Sequence, residues 1–129
     1  MAITVTSAAS SSMATALASA IGAASTIKIY SGTKPATPET GASGTLLVTI
    51  PISGSFTATA NVITSADPAA AAPAASGTAG YFRLATSGGT AILDGTVGTA
   101  GTDMILGSTT ITTGVNVDLG VPSFTVPVA

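Results

Sequence analysis

Residues 78–98, TAGYFRLATSGGTAILDGTVG, decide the fold. Two runs rich in β-branched, aromatic and aliphatic residues, 81–86 and 90–97, flank Ser87-Gly88-Gly89. Strand-forming runs joined by a short Gly-rich link predict a β-hairpin. The hairpin holds Tyr81, Phe82 and Arg83, the one arginine of the chain.

Working outward, most of the chain reads as short strands. Residues 26–31 (TIKIYS) alternate, with Ile27 and Ile29 on one face and Lys28 and Tyr30 on the other. Residues 32–44 carry Pro35, Pro38, Gly41 and Gly44 and read as a loop. The run 46–52 (LLVTIPI) is dense enough for a strand buried on both faces, with Pro51 marking an edge or bulge. Phe56, Ala58, Ala60 and Val62 alternate with Thr57, Thr59 and Asn61, which predicts one half-buried strand. In residues 67–77 (DPAAAAPAASG), Pro68 and Pro73 frame the alanines too closely for more than one helical turn, and an exposed loop is expected.

Beyond the hairpin, 103–106 and 109–112 read as short strands. Val115, Val117, Leu119 and Val121 alternate with Asn116, Asp118 and Gly120 as another, and Phe124, Val126 and Val128 form a last one. Pro122 and Pro127 mark that end as edge-like. Eight to ten short strands without intervening helices predict a mainly β protein. The expected architecture is an antiparallel β-sandwich or jelly roll with one N-terminal helix.

That helix is expected over residues 7–24. Met13, Leu17 and Ile21 recur every four residues beside Ala16 and Ala20. Ser10, Ser11 or Ser12 is available as N-cap, and Gly22 suits the end. Without charge pairs it must pack on something: an edge or end of the sheet, or a partner subunit. Residues 3–6 read as a short strand or an extended arm. The organisation expected is one domain, with an arm and helix over residues 1–25 packed on a sandwich over 26–129.

Composition narrows the function. The chain has 129 residues, 46% of them hydrophobic, and only 6% are charged, against about 25% in an ordinary globular protein. A surface of Ser, Thr, Gly and Ala is poorly protected against association, which points to an assembled protein. Lys28, Lys34 and Arg83 are scattered and the net charge is −2, so no nucleic-acid footprint is expected. No window is apolar enough for a membrane helix, and residues 7–25 lack the preceding basic residue of a signal peptide. Histidine and cysteine are absent, which removes the usual general base, the thiolate nucleophile and the commonest transition-metal ligands.

The acids are Glu39, Asp67, Asp94, Asp103 and Asp118. A glycosidase-type pair needs two carboxylates roughly 5–10 Å apart. Asp94 and Asp103 are the one pair close in sequence on strands, with no aromatic platform for a sugar beside them. A calcium site from Asp94, Asp103 or Asp118 lacks the D-x-D-x-D-G spacing. The expectation is therefore no enzyme, no cofactor and no metal.

The candidate interface residues are Tyr81, Arg83, Met13, Leu17 and Ile21. Arg83 has two readings. It lies along the sheet with its head in solvent, or it pairs with an acid of a neighbouring subunit.

The pattern T-A-G-Y-F-R, a Gly-containing hairpin, D-G-T-V-G-T-A-G-T-D-M-I-L and a closing S-F-T-V resembles small tailed-phage and prophage virion structural proteins. The earlier A-S-T-I-K-I-Y-S-G-T-K-P-A and G-T-L-L-V-T-I fit the same family, so the likeness runs from Ser25 to Val126. It implies a virion protein, foremost a capsid decoration (cement) protein that binds the major capsid protein as a homo-oligomer, with a trimer expected. A tail, connector or receptor-binding component is the alternative, and a secreted β-sandwich adhesin a third reading. The resemblance brings no catalytic residue.

Overall fold

A computed structural model describes residues 6–60, 62–65, 68–119 and 123–125. It is mainly β, with helix α1 (Ser7–Ile21) followed by β1 (Thr26–Ser31), β2 (Leu46–Pro51), β3 (Thr57–Thr59) and β4 (Val62–Thr64). Then come β5 (Gly77–Ala85), β6 (Ala91–Gly98), β7 (Met104–Ile105), β8 (Thr110–Ile111) and β9 (Ser123–Thr125). Six strands form one sheet in the order β2-β1-β5-β6-β7, with β8 pairing the start of β5. The other three form a second sheet, β3-β4-β9.

The hairpin is the centre of the larger sheet. β5 and β6 pair antiparallel, and Thr86 and Thr90 close the turn through the Thr86 N–H to Thr90 carbonyl bond at 2.9 Å. β1 lies on the other side of β5, also antiparallel. Period-2 alternation then sorts side chains: Ile27, Ile29, Phe82 and Leu84 point into the core, and Lys28, Tyr30, Tyr81 and Arg83 take the opposite face. The sheets and α1 share one hydrophobic cluster, in which Phe124 of β9 stacks on Phe82 at 5.0 Å between ring centroids. That contact ties the small sheet to the large one.

Several expectations change. The sheet is mixed, because β7 runs parallel to β6 with Val97 opposite Met104 and Gly98 opposite Ile105. The single strand expected through Phe56 and Val62 is a hairpin, β3–β4. The chain reverses after Thr59, Ala60 takes a φ of 53°, and Ile63 rather than Val62 is buried. Asn61 lies outside the described residues. Residues 115–119 form no strand; Val117 makes an isolated bridge to Ala71 and Val115 is exposed. The 68–76 segment has no helix, as expected, yet it is not simply an exposed loop. Pro68 is buried, and the Ala74 and Ala75 N–H groups both donate to the Leu47 carbonyl of edge strand β2. Residues 3–5, Asp67, Gly120, Val121, Pro122 and the Val126 to Val128 end of the last expected strand lie outside the described residues.

The helix is capped by Thr6, whose hydroxyl accepts from the Ala9 N–H at 3.1 Å, and not by a serine further on. It stops at Gly22, whose φ is 71° and whose N–H reaches the Ala18 carbonyl. It packs on β3 and β4. Its buried line is Ser10, Ala14, Ala18 and Ile21, with Leu17 half-buried and Met13 exposed. A step of four residues overshoots a helical turn by about 40°. The stripe Met13–Leu17–Ile21 therefore winds around the helix, and one end of it faces water.

Candidate functional site

The face of the large sheet opposite the core concentrates the polar chemistry. Cross-strand pairs share a face, and the register sets Tyr30 opposite Tyr81, Lys28 opposite Arg83, and Arg83 opposite Asp94. Arg83 grips Asp94 with a forked pair, Nε to Oδ1 at 2.7 Å and Nη2 to Oδ2 at 2.8 Å. The same Nη2 donates to the Thr40 carbonyl at 2.8 Å. Beside it the Tyr30 and Tyr81 rings stack at 5.1 Å with 9° between their planes. The Tyr81 hydroxyl donates to the Ser43 carbonyl at 2.7 Å and accepts from the Ser43 N–H at 2.9 Å.

These contacts bind residues 32–44 as a strap across the face. At its roots the backbones are close, because a Cβ on Gly80 would overlap the Gly32 carbonyl and one on Gly44 would overlap that of Ser31. Glycine is required at both positions by the close approach, and at Gly44, with a φ of 75°, by backbone angle as well.

Electrostatics follow from this geometry. The hydrogen bond to Asp94 holds the Arg83 guanidinium above its ordinary value, against the cost of its burial. Burial first, then the charges of Tyr81 and Asp94, push the Tyr30 phenol up; Arg83 opposes them. The Asp94 carboxylate, with both oxygens held by one guanidinium, ties β6 to β5 as a charged strut.

The second acid lies at a cleft of about 500 Å³ bordered by Leu17, Leu93, Gly95, Asp103 and Phe124. Asp103 Oδ2 accepts from the Thr96 N–H at 2.9 Å and from its hydroxyl at 3.1 Å, which braces the β6–β7 connection. Asp94 also borders this cleft, but its carboxylate belongs to Arg83. Among the described residues no group of three or more His, Cys, Asp or Glu side chains comes together for a metal ion. No helix among them is long and apolar enough to cross a membrane.

The five expected interface residues separate. Tyr81 and Arg83 come together, buried under the strap, and Ile21 is in the core. Leu17 lines the cleft, and only Met13 of the five is exposed. Arg83 is largely buried and finds an acid within its own chain, Asp94 on the next strand. Tyr30, Thr40 and Ser43 are not singled out by the sequence, which marks Asp94 only as half of an acid pair with Asp103 or as a calcium ligand. Tyr30 was recoverable from alternation, whereas Thr40 and Ser43 contribute backbone atoms, which leave no trace in residue type. No protein-family model matches this chain, and neither the curated proteins nor the solved structures contain a match to it.

Proposed function

We propose that the chain is a structural component of a tailed-phage or prophage virion, specifically a capsid decoration (cement) protein. In this reading it binds the major capsid protein and stabilises the shell as a homo-oligomer, taken to be a trimer, and it has no enzymatic activity. The two sheets meeting across one core would make it a β-sandwich of jelly-roll type.

The observation that carries the reading is where the charge goes. The sequence has three basic and five acidic residues, and Arg83 and Asp94 cancel each other beneath the strap. What faces outward is mostly Ser, Thr, Gly and Ala, with Met13, Ile105 and Val115 exposed at 41%, 52% and 63%. A weakly charged surface with exposed aliphatic side chains favours association over life as a free monomer. The sequence resemblance to phage virion proteins points the same way.

Quantitative mass spectrometry of particles purified after prophage induction tests the proposal. Hundreds of copies per particle are expected. A handful would replace decoration by a tail or connector role, and absence from particles would overturn the virion reading.

A further inference from the structure

The strap over Tyr81 and Arg83 is attached differently from the rest of the molecule. It leaves the sheet at Gly32 and returns at Gly44, with φ of 88° and 75°, and the two glycines lie side by side. A loop whose ends meet can move as a unit. No residue between these hinges is buried, so apolar burial contributes little to holding it down. Among the described residues three hydrogen bonds do the holding: two between Tyr81 and Ser43, and one from Arg83 to Thr40. All three fall on the strap's backbone. The surface underneath is deeply buried and made of an aromatic ring and a guanidinium.

We propose that residues 32–44 form a lid that opens about Gly32 and Gly44 while both sheets stay folded, uncovering Tyr81 and Arg83. Segments with few buried apolar contacts open at far lower free energy than core strands. The sheet does not need the strap, because the β1–β2 and β1–β5 ladders are built from residues outside it. The uncovered surface also stays ordered, since Tyr81 keeps its stack on Tyr30, while water reaching Arg83 loosens its pair with Asp94 and frees the guanidinium to react. The inference is independent of the virion reading.

Because Arg83 is the sole arginine, an arginine-selective dicarbonyl such as phenylglyoxal reports the opening by intact mass. Modification of the native chain is expected at a rate that hardly changes with urea well below the unfolding transition. Tyr81→Phe removes two of the three latch bonds but keeps the stacked ring, and should speed modification roughly tenfold. Glu39→Gln, exposed and outside the latch, should leave the rate unchanged. The proposal is overturned if modification of the native chain follows global unfolding at every urea concentration. It is equally overturned if a folded Tyr81→Phe chain reacts no faster. Should that variant fail to fold, the urea dependence of the unsubstituted chain decides alone.

Discussion

Removing Asp94 is the sharpest perturbation of the structure. Its side chain is 1% exposed and that of Arg83 10%, and two short hydrogen bonds join them. Asp94→Ala leaves a guanidinium with the Thr40 carbonyl as its one remaining partner among the described residues. Stranding one member of a buried pair costs about 3–5 kcal/mol. Release of the strap would let water reach Arg83, which places the cost near the lower end, about 3 kcal/mol. Against a total stability of about 5–15 kcal/mol, that is a large share. At this chain length it corresponds to a fall in Tm of roughly 10–15 °C.

Urea unfolding followed by far-ultraviolet circular dichroism and tyrosine fluorescence measures it, since no tryptophan complicates the signal. The decisive comparison is Arg83→Met/Asp94→Leu. Replacing both charges by apolar groups removes the desolvation cost together with the attraction, so the double variant should recover about 2 kcal/mol of the single variant's loss. An Asp94→Ala cost below about 1 kcal/mol would mean that the pair behaves as a solvated surface bridge. A double variant no better than the single would mean that the charges are not what the site depends on. Either result refutes the reasoning.

Alkali should act through Tyr30, whose phenol is raised above its ordinary 10.0 chiefly by burial. The fold favours the neutral form, so this stabilisation is complete below pH 10 and is lost as pH climbs through the raised value. Tyrosinate absorbance compared between the native chain and Tyr30→Phe, with urea midpoints across the same range, checks this; ordinary ionisation and a flat midpoint would contradict it. Gly95→Ala should cost about 1–3 kcal/mol by overpacking, because its Cβ would enter the ring of the fully buried Phe82. Gly88→Ala has open space around it, with Thr86 Oγ1 3.8 Å away, and should be neutral or gain up to about 1 kcal/mol from a stiffer unfolded chain. Equal effects of the two substitutions in thermal melts would count against this packing.

What was legible in the sequence was what period and punctuation encode. Alternation in residues 26–31 separates Ile27 and Ile29 from Lys28 and Tyr30, and the structure keeps that division. Ser87-Gly88-Gly89 reads as a turn because few other tripeptides reverse two strands so tightly, and the chain reverses there. Alternation failed where a turn interrupted it without a strong signal. Ala60 continues the pattern of Phe56 and Ala58, yet it sits at positive φ where the chain doubles back. The parallel β6–β7 pairing was hidden for a related reason. It is two residues long and braced by Asp103 on Thr96, so it depends on a side chain that composition cannot tell from any other acid.

The site itself was lost by a single residue. Continued regularly from Ala85 opposite Ala91, the hairpin ladder would set Arg83 against Leu93, with Asp94 on the other face. The ladder slips between Ala85 and Leu84, so that Leu84 meets Leu93 and Arg83 meets Asp94. A bulge adds a residue to one strand and exchanges the faces beyond it. Here it turns Asp94 from a stray acid into the counter-ion of the only arginine, and it leaves Gly95 to face Phe82 where any side chain would collide. Nothing in the types Ala91, Ile92 and Leu93 announces that slip. It is selected by what it accomplishes in three dimensions, pairing two buried charges and packing a ring against a glycine at one stroke.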